Sequence, residues 1–401
     1  MKYFVIFFLT LWANQSFGKT ITEFLHSQKP PSETVRALIA FWEKIFYHYP
    51  SHSAIIHDSA ANQNIVDIVD FKVWARKQNI SDEIPNLKKR NAITSAYLRR
   101  YELGLKRFQR FGKKAMNYGA IEQRLFHVFS RKSTDINRLF AGNIELRLQI
   151  GLADQFIPAA SRAKKYLPYM QEVFERQGIP SVLTRVAFVE SMFRHNAVSK
   201  VGASGIWQIM PKTAKPYLRV DHLIDERNSP YKAAVVAARL LAMNFDRLNS
   251  WPLAITAYNH GASGLKKALH RLKTNDFNTL IESYSQDRFG FASRNFYAEF
   301  IAAAKTYERL IQEGKIAPPP AYSDVEKIVL PKTLKPQEIL HLAAISEEQF
   351  VDYNHCLNKK IFSSYAGIKL PLNYSIFLPK SHANTLRNAF SKLLGSTYAQ
   401  K

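Results

Sequence analysis

The chain is poor in cysteine, in acid and in long apolar runs. Cys356 is the one cysteine in 401 residues, which excludes an intrachain disulfide framework and leaves a lone thiol expected to be buried. Aspartate and glutamate number 32 against 56 lysines and arginines, a net charge of +24. That imbalance favours polyanionic partners, whether nucleic acid, anionic lipid or an acidic polymer, without choosing among them. The 12 histidines are scattered. They form no His-Glu-x-x-His pattern, and neither a Ser-His-Asp arrangement nor a phosphate-cradling glycine loop stands out. No metal and no cofactor is expected. There is no internal repeat and no low-complexity tract. What the chain does have is apolar substance: 46% hydrophobic and 13% aromatic residues, enough for packed cores and too much for a disordered chain.

The one apolar run of note is at the start. Lys2 precedes Tyr3 to Ala13, and Ser16-Phe17-Gly18 follows. This pattern predicts a secretory signal peptide over residues 1–18, the other reading being an ordinary apolar N-terminal helix. The run is short for a bilayer span. No cysteine adjoins the cleavage point, so neither a lipid anchor nor a transmembrane helix is expected after cleavage. Export would place the chain in the periplasm or cell envelope and would exclude intracellular nucleic acid as a partner.

Residues 19–145 read as a basic, mostly helical region. Lys88, Lys89, Arg90, Arg99, Arg100, Lys106, Arg107, Arg110, Lys113 and Lys114 alternate there with Tyr97, Tyr101, Leu105, Phe108 and Phe111. These are either solvated helix faces that pack by their aromatics, or a surface for an anionic membrane or cell-wall polymer. Residues 146–313 continue as helix, with Ser250-Trp251-Pro252 opening one helix and Gly261 and Gly264 closing it. Residues 314–324, with Pro318-Pro319-Pro320, read as a linker. Residues 325–380 read as strand, helix, helix, strand: Val325 to Leu330, Pro336 to Ile345, Ser346 to Leu357 and Ile368 to Leu378. Residues 381–401 read as a tail.

The chemistry concentrates at Glu190. Ile179, Leu183, Val186 and Ala187 share one helical face, and Glu190 continues it one turn on. A carboxyl held against an apolar wall loses hydration, so its charged form is disfavoured and its pKa rises. A carboxylic acid that keeps its proton near neutral pH is what general acid catalysis requires. No acid follows until Asp221. The stretch between mixes Gly202, Gly205, Ser199, Gln208, Trp207 and Met210: glycines for tight turns, a hydroxyl, an amide, and apolar faces. Sugars are held by such sets, with hydrogen bonds at the ring edge and apolar contact on its face; Trp207 and Met210 also fit a core.

The order Glu190-Ser191, Asn196-Ala197-Val198-Ser199, Gly202-Ala203-Ser204-Gly205-Ile206-Trp207-Gln208-Ile209-Met210-Pro211 and Ala257-Tyr258-Asn259-His260-Gly261 resembles the soluble-type lytic transglycosylase catalytic domain. Ile224-Asp225-Glu226-Arg227 and Arg294-Asn295-Phe296-Tyr297 are similar to the membrane-bound D branch, and the likeness extends over roughly 145–305. The resemblance implies a mainly α protein. It would comprise a lysozyme-like helical catalytic domain, a helical N-terminal extension and a small α+β unit resembling LysM carbohydrate-binding modules. It implies peptidoglycan glycan strands as substrate, with Glu190 as sole acid and base. Ser199, Gln208, Met210, Tyr258 and Tyr297 would line the cleft, with Ser191 and Asn259 supporting it. Glu190 would protonate the oxygen between N-acetylmuramic acid and N-acetylglucosamine. It would then serve as base while the muramoyl 6-hydroxyl closes a 1,6-anhydro ring.

Ordinary glycosidases need two carboxylates, and Glu190 has no acidic neighbour in sequence. Asp225 and Glu226 read as ion-paired residues at a helix start. Lys200 stands where many members have proline, and Lys332-Thr333-Leu334 replaces the usual Gly-Asp opening of a LysM module, which leaves glycan binding and a structural role both open there. Two alternatives to the lytic reaction remain: a muramidase of the same fold that uses water, and a wall-binding protein without catalysis.

Overall fold

The computed structural model describes residues 20–79, 84–285 and 289–394; the expected signal peptide lies outside them. Among the described residues helix dominates and strands are confined to two small antiparallel sheets, so the chain is mainly α.

Helix α1 (Glu33–Tyr47) begins at Ser32, whose hydroxyl accepts from the Val35 N–H, as an N-cap serine should. It buries Val35, Leu38, Ile39, Trp42, Ile45 and Phe46, an interval of three and four that makes one apolar stripe. The chain then turns to strand. β1 (Ser53–Asp58) and β2 (Ile65–Asp70) form a hairpin, and β3 (Leu146–Ile150) pairs on the other side of β1. Ala54 faces Val69 on one side and Ile150 on the other. The N-terminal region is therefore not wholly helical. The β-branched runs at residues 55–56 and 65–69 suit a pleated, half-covered surface. Helix α2 (Leu87–Phe111) lies beside this sheet and buries Ile93, Tyr101, Leu105 and Phe108 in a second core with Leu125, Phe129 and Leu139.

The main core is built by α3 (Ala153–Arg176), α4 (Val186–Ser191), α5 (Pro230–Leu248), α6 (Trp251–His260) and α7 (Phe291–Gln312). Helix α7 is its axis and packs on α1, α4 and α6. The core crosses the boundary expected at residue 145, because Phe24 and the apolar stripe of α1 belong to it. The Trp42 indole N–H donates to Asn295 Oδ1 on α7 at 2.8 Å, fully buried.

Beyond residue 324, β4 (Val325–Val329), α8 (Pro336–Ala343), α9 (Glu347–Tyr353) and β5 (Ser375–Pro379) follow in that order, with β4 and β5 antiparallel. The last strand is shorter than its apolar run, since Pro371 removes a donor and Asn373 takes a positive φ of 63°. Asn354 ties the unit together: its amide donates to Phe350 O and Phe377 O, and its Oδ1 accepts from Phe377 N at 2.9 Å. Residues expected as tail form α10 (Lys380–Leu394) instead. Ala383, Leu386 and Phe390 recur at helical spacing and are buried in this unit's core. Cys356 is buried there too.

This C-terminal unit is clamped to the helical body. Asp225 N–H donates to Cys356 O and Asn358 N–H to Leu223 O, both at 2.8 Å. Tyr231, at the start of α5, stacks on Phe377 with ring centroids 4.8 Å apart. Its buried hydroxyl has no hydrogen-bond partner among the described residues. Tyr231→Phe should therefore leave the thermal melting point unchanged or higher, because an unpaired buried hydroxyl contributes nothing favourable. Tyr231→Ala should lower stability by about 3–5 kcal/mol, the cost of an aromatic-sized cavity. A destabilised phenylalanine variant would show that the hydroxyl has a partner after all.

Candidate active site

Gly178, at φ 71°, ends α3, and Pro180 leads into a single 3-10 turn over Ser181–Arg185 before α4. The apolar face proposed from the sequence is real: Ile179, Leu183, Val186 and Ala187 are all buried. Helix α4 then stops at once, for Met192 and Phe193 both take left-handed backbone, φ 52° and 56°. Bulky residues pay a steric cost there. Burial offsets it, since Phe193 is fully enclosed with its ring edge-on to Phe188 at 4.6 Å. Arg162 on α3 donates to Met192 O at 2.8 Å, a cation at the negative end of the helix. Glu190 sits in that last turn.

The loop that follows is braced from several sides. Ser191 Oγ donates to Ile206 O at 2.8 Å, and Tyr258 OH on α6 donates to Trp207 O at 2.9 Å. Gln208, itself at φ 45°, donates its amide hydrogens to Ala197 O and Gly205 O. Its amide oxygen is what remains for a ligand. Ser199 Oγ accepts from Ala203 N–H at 2.9 Å and still has a proton to donate. At Gly205 no side chain fits: φ is 79°, and a Cβ would lie 1.9 Å from Arg227 O. Arg227 holds Asp225 through two bonds, at 2.9 and 2.7 Å, and donates to Gly202 O at 2.7 Å. Glu226 pairs with Lys232. Asp225 and Glu226 are thus ion-paired braces at the short turn Glu226–Asn228. Trp207 is core, stacked on Phe174, whereas Met210 is 39% exposed.

Two placements differ from the sequence reading. Tyr297, expected in the cleft, is only 3% exposed and packs on Phe277. It borders a different cavity, with Pro252 and Asn275. The second difference is Glu299 on α7, which the sequence reading missed. It bears electrostatically on Glu190. Residues 297 and 299 of one helix point about 200° apart, so turning Tyr297 into the core turns Glu299 toward α4. Asn259 Oδ1 accepts from Ser293 Oγ at 3.0 Å, joining α6 to α7.

Glu190 therefore has an acidic neighbour and no cationic one among the described residues. Burial first, then repulsion from Glu299, pushes its carboxyl from an ordinary 4.5 up to about 8. Burial pushes Glu299 up to about 8 as well. The Tyr258 phenol is driven well above its ordinary 10.0 by burial and then by the Glu190 charge, so it stays a neutral donor. Near neutral pH the two carboxyls carry protons, and the arrangement can give a proton to a ligand oxygen.

Residues 169–281 match the family model described as Transglycosylase SLT domain. Membrane-bound lytic murein transglycosylase D of Escherichia coli is 25% identical over 237 residues, covering 57% of this chain and 50% of that protein. Membrane-bound lytic murein transglycosylase C of Haemophilus ducreyi is 27% identical over 186 residues, covering 42% of this chain and 50% of that protein. An X-ray structure of an inactive mutant of lytic transglycosylase Slt from Pseudomonas aeruginosa superposes with a TM-score of 0.32 at 17% identity, over 76% of this chain and 47% of that one. This chain spans about half the length of the curated relatives it matches.

The raised carboxyls have a consequence for stability. The native state holds these protons more tightly than an unfolded glutamate does, so their contribution is full below pH 4.5 and is lost as pH rises through about 8. In Glu190→Gln or Glu299→Gln the melting temperature should fall less steeply with pH over that window. Parallel curves for wild type and both variants would contradict the burial described.

Proposed function

We propose that this chain cleaves the glycan strand of peptidoglycan as a lytic transglycosylase, with Glu190 as its acid and base. The observation that carries the reading is the half-buried carboxyl of Glu190, held protonated near neutral pH at the end of α4 and next to a braced, glycine-bearing loop. In the proposed reaction Glu190 gives its proton to the oxygen linking N-acetylmuramic acid to N-acetylglucosamine. The bond from the anomeric carbon to that oxygen breaks, and N-acetylglucosamine leaves with a free 4-hydroxyl. The Glu190 carboxylate then takes the proton of the muramoyl 6-hydroxyl as that oxygen bonds to the anomeric carbon. The anhydro ring closes, no water is consumed, and Glu190 ends protonated. Ser199 Oγ–H, the Gln208 amide oxygen and the exposed Met210 thioether would hold the sugars, while Tyr258 and Ser191 fix the loop that presents them.

Glu299 favours a second reading, hydrolysis by water. Two carboxyls across a glycosidic bond are the equipment of ordinary glycosidases. A base must be ionised, however, and burial holds Glu299 up at about 8, so near neutral pH it carries a proton and is ill suited to activating water.

Mass analysis of the fragments released from purified sacculi separates the two, anhydro ends supporting the lytic reaction and reducing ends the hydrolytic one. Glu190→Gln should lose activity by at least about a hundredfold, the usual scale for a general acid. Glu299→Gln should keep activity and move the alkaline limb of its pH profile to lower pH, since the repulsion that raises Glu190 is gone. If Glu299→Gln is inactive at every pH, Glu299 is the base of a hydrolase.

A further inference from the structure

The SLT match leaves the N-terminal region unexplained. Between Leu87 and Tyr118 that region carries ten lysines and arginines against one acid, Glu102. Its inner face is accounted for by the second core. Among the described residues nothing covers the outer face of α2. Arg99, Leu103, Lys106 and Arg110 follow one another at intervals of four, three and four, so they line one stripe, and all are exposed. Among the described residues none of these three cations has a carboxylate partner; Arg107 alone on this helix pairs with one, Glu122.

The stripe ends in an exposed aromatic cluster. Helix α2 stops at Gly112, and a 3-10 turn over Gly112–Tyr118 folds back. Phe111 and Tyr118 stack with ring centroids 5.5 Å apart and planes 26° apart, although they are 39% and 53% exposed. Arg107 lies over the Tyr118 ring at 4.8 Å and Arg110 over the Phe111 ring at 5.2 Å. Lys113 and Lys114 flank them, and Leu103 on the same side is 49% exposed. Large apolar side chains left in water next to unpaired cations are costly for a purely solvated face.

We propose that this face docks on an anionic lipid bilayer. Arg99, Lys106 and Arg110 meet anionic headgroups, while Leu103, Phe111 and Tyr118 enter the headgroup–acyl boundary. Two features select a bilayer over a soluble polyanion. Charges strung along one straight helix match an extended plane. The exposed aromatic and leucine side chains gain nothing from a hydrated polymer, but amphipathic rings and apolar side chains gain at a membrane interface. The contact would hold the SLT domain at a membrane surface independently of any anchor at the chain's start.

Co-sedimentation of the full chain with phosphatidylcholine vesicles, with and without phosphatidylglycerol, tests this. Binding should need phosphatidylglycerol and should weaken with salt. Arg99→Glu with Lys106→Glu and Arg110→Glu should reduce it at least about tenfold, since each basic residue near the surface is worth roughly fivefold in partitioning. Phe111→Ser with Tyr118→Ser should also weaken it while leaving the circular dichroism spectrum intact. Retention of wild-type binding by both variants would overturn the proposal. So would a charge variant that loses binding to heparin and to anionic vesicles alike, with the aromatic variant unaffected on both: that result assigns the face to a soluble polyanion.

Discussion

The site depends on one constraint: two half-buried carboxyl groups, Glu190 from α4 and Glu299 from α7, bear on each other electrostatically with no cation beside Glu190 among the described residues. Burial disfavours the charged form of each, and a charge on Glu299 further disfavours one on Glu190. The packing of α4 on α7 therefore keeps both protonated near neutral pH. Phe193 in its left-handed turn, Arg162 on the helix end and Trp42 bonded to Asn295 each hold one of the two helices in place.

A second chain of contacts reaches the loop after Glu190 from outside. The C-terminal unit bonds to Leu223 and Asp225, Asp225 grips Arg227, and Arg227 holds the carbonyl of Gly202 while its own carbonyl lies against Gly205. The loop that carries Ser199 and Gln208 is thus supported by the unit beyond residue 324. Glycine at position 205 is dictated by that approach of backbone to backbone.

Much of this could be read from the sequence because it is local. The apolar face ending in Glu190, the helix opened by Trp251-Pro252 and closed at Gly261, the pairing of Asp225 with Arg227, and the strand–helix–helix–strand order beyond residue 324 all lie within short windows; Gly264, expected to help close that helix, lies instead in the next one, Ala262–Leu272. What was missed is long-range or angular. Glu299 is far along the chain from Glu190, and only the fold brings them together. Tyr297 lies in a stretch that resembles a relative's, yet resemblance carries no rotation angle, and two residues on a helix are enough to exchange core for cleft. The hairpin over residues 53–70 was hidden by its basic, helical surroundings. The last helix reads as tail from the sequence because the spacing of Ala383, Leu386 and Phe390 begins just beyond the strand–helix–helix–strand unit.

The state of one proton is the heart of the account, and it can be observed directly. In a protein carrying carboxyl-labelled glutamate, the carbon NMR signal lost in Glu190→Gln identifies position 190. Its chemical shift should titrate near pH 8 in the wild type, and lower in Glu299→Gln. A signal that titrates near 4.5, unmoved by the change at 299, would mean that the carboxyl is solvated, unpaired and no general acid.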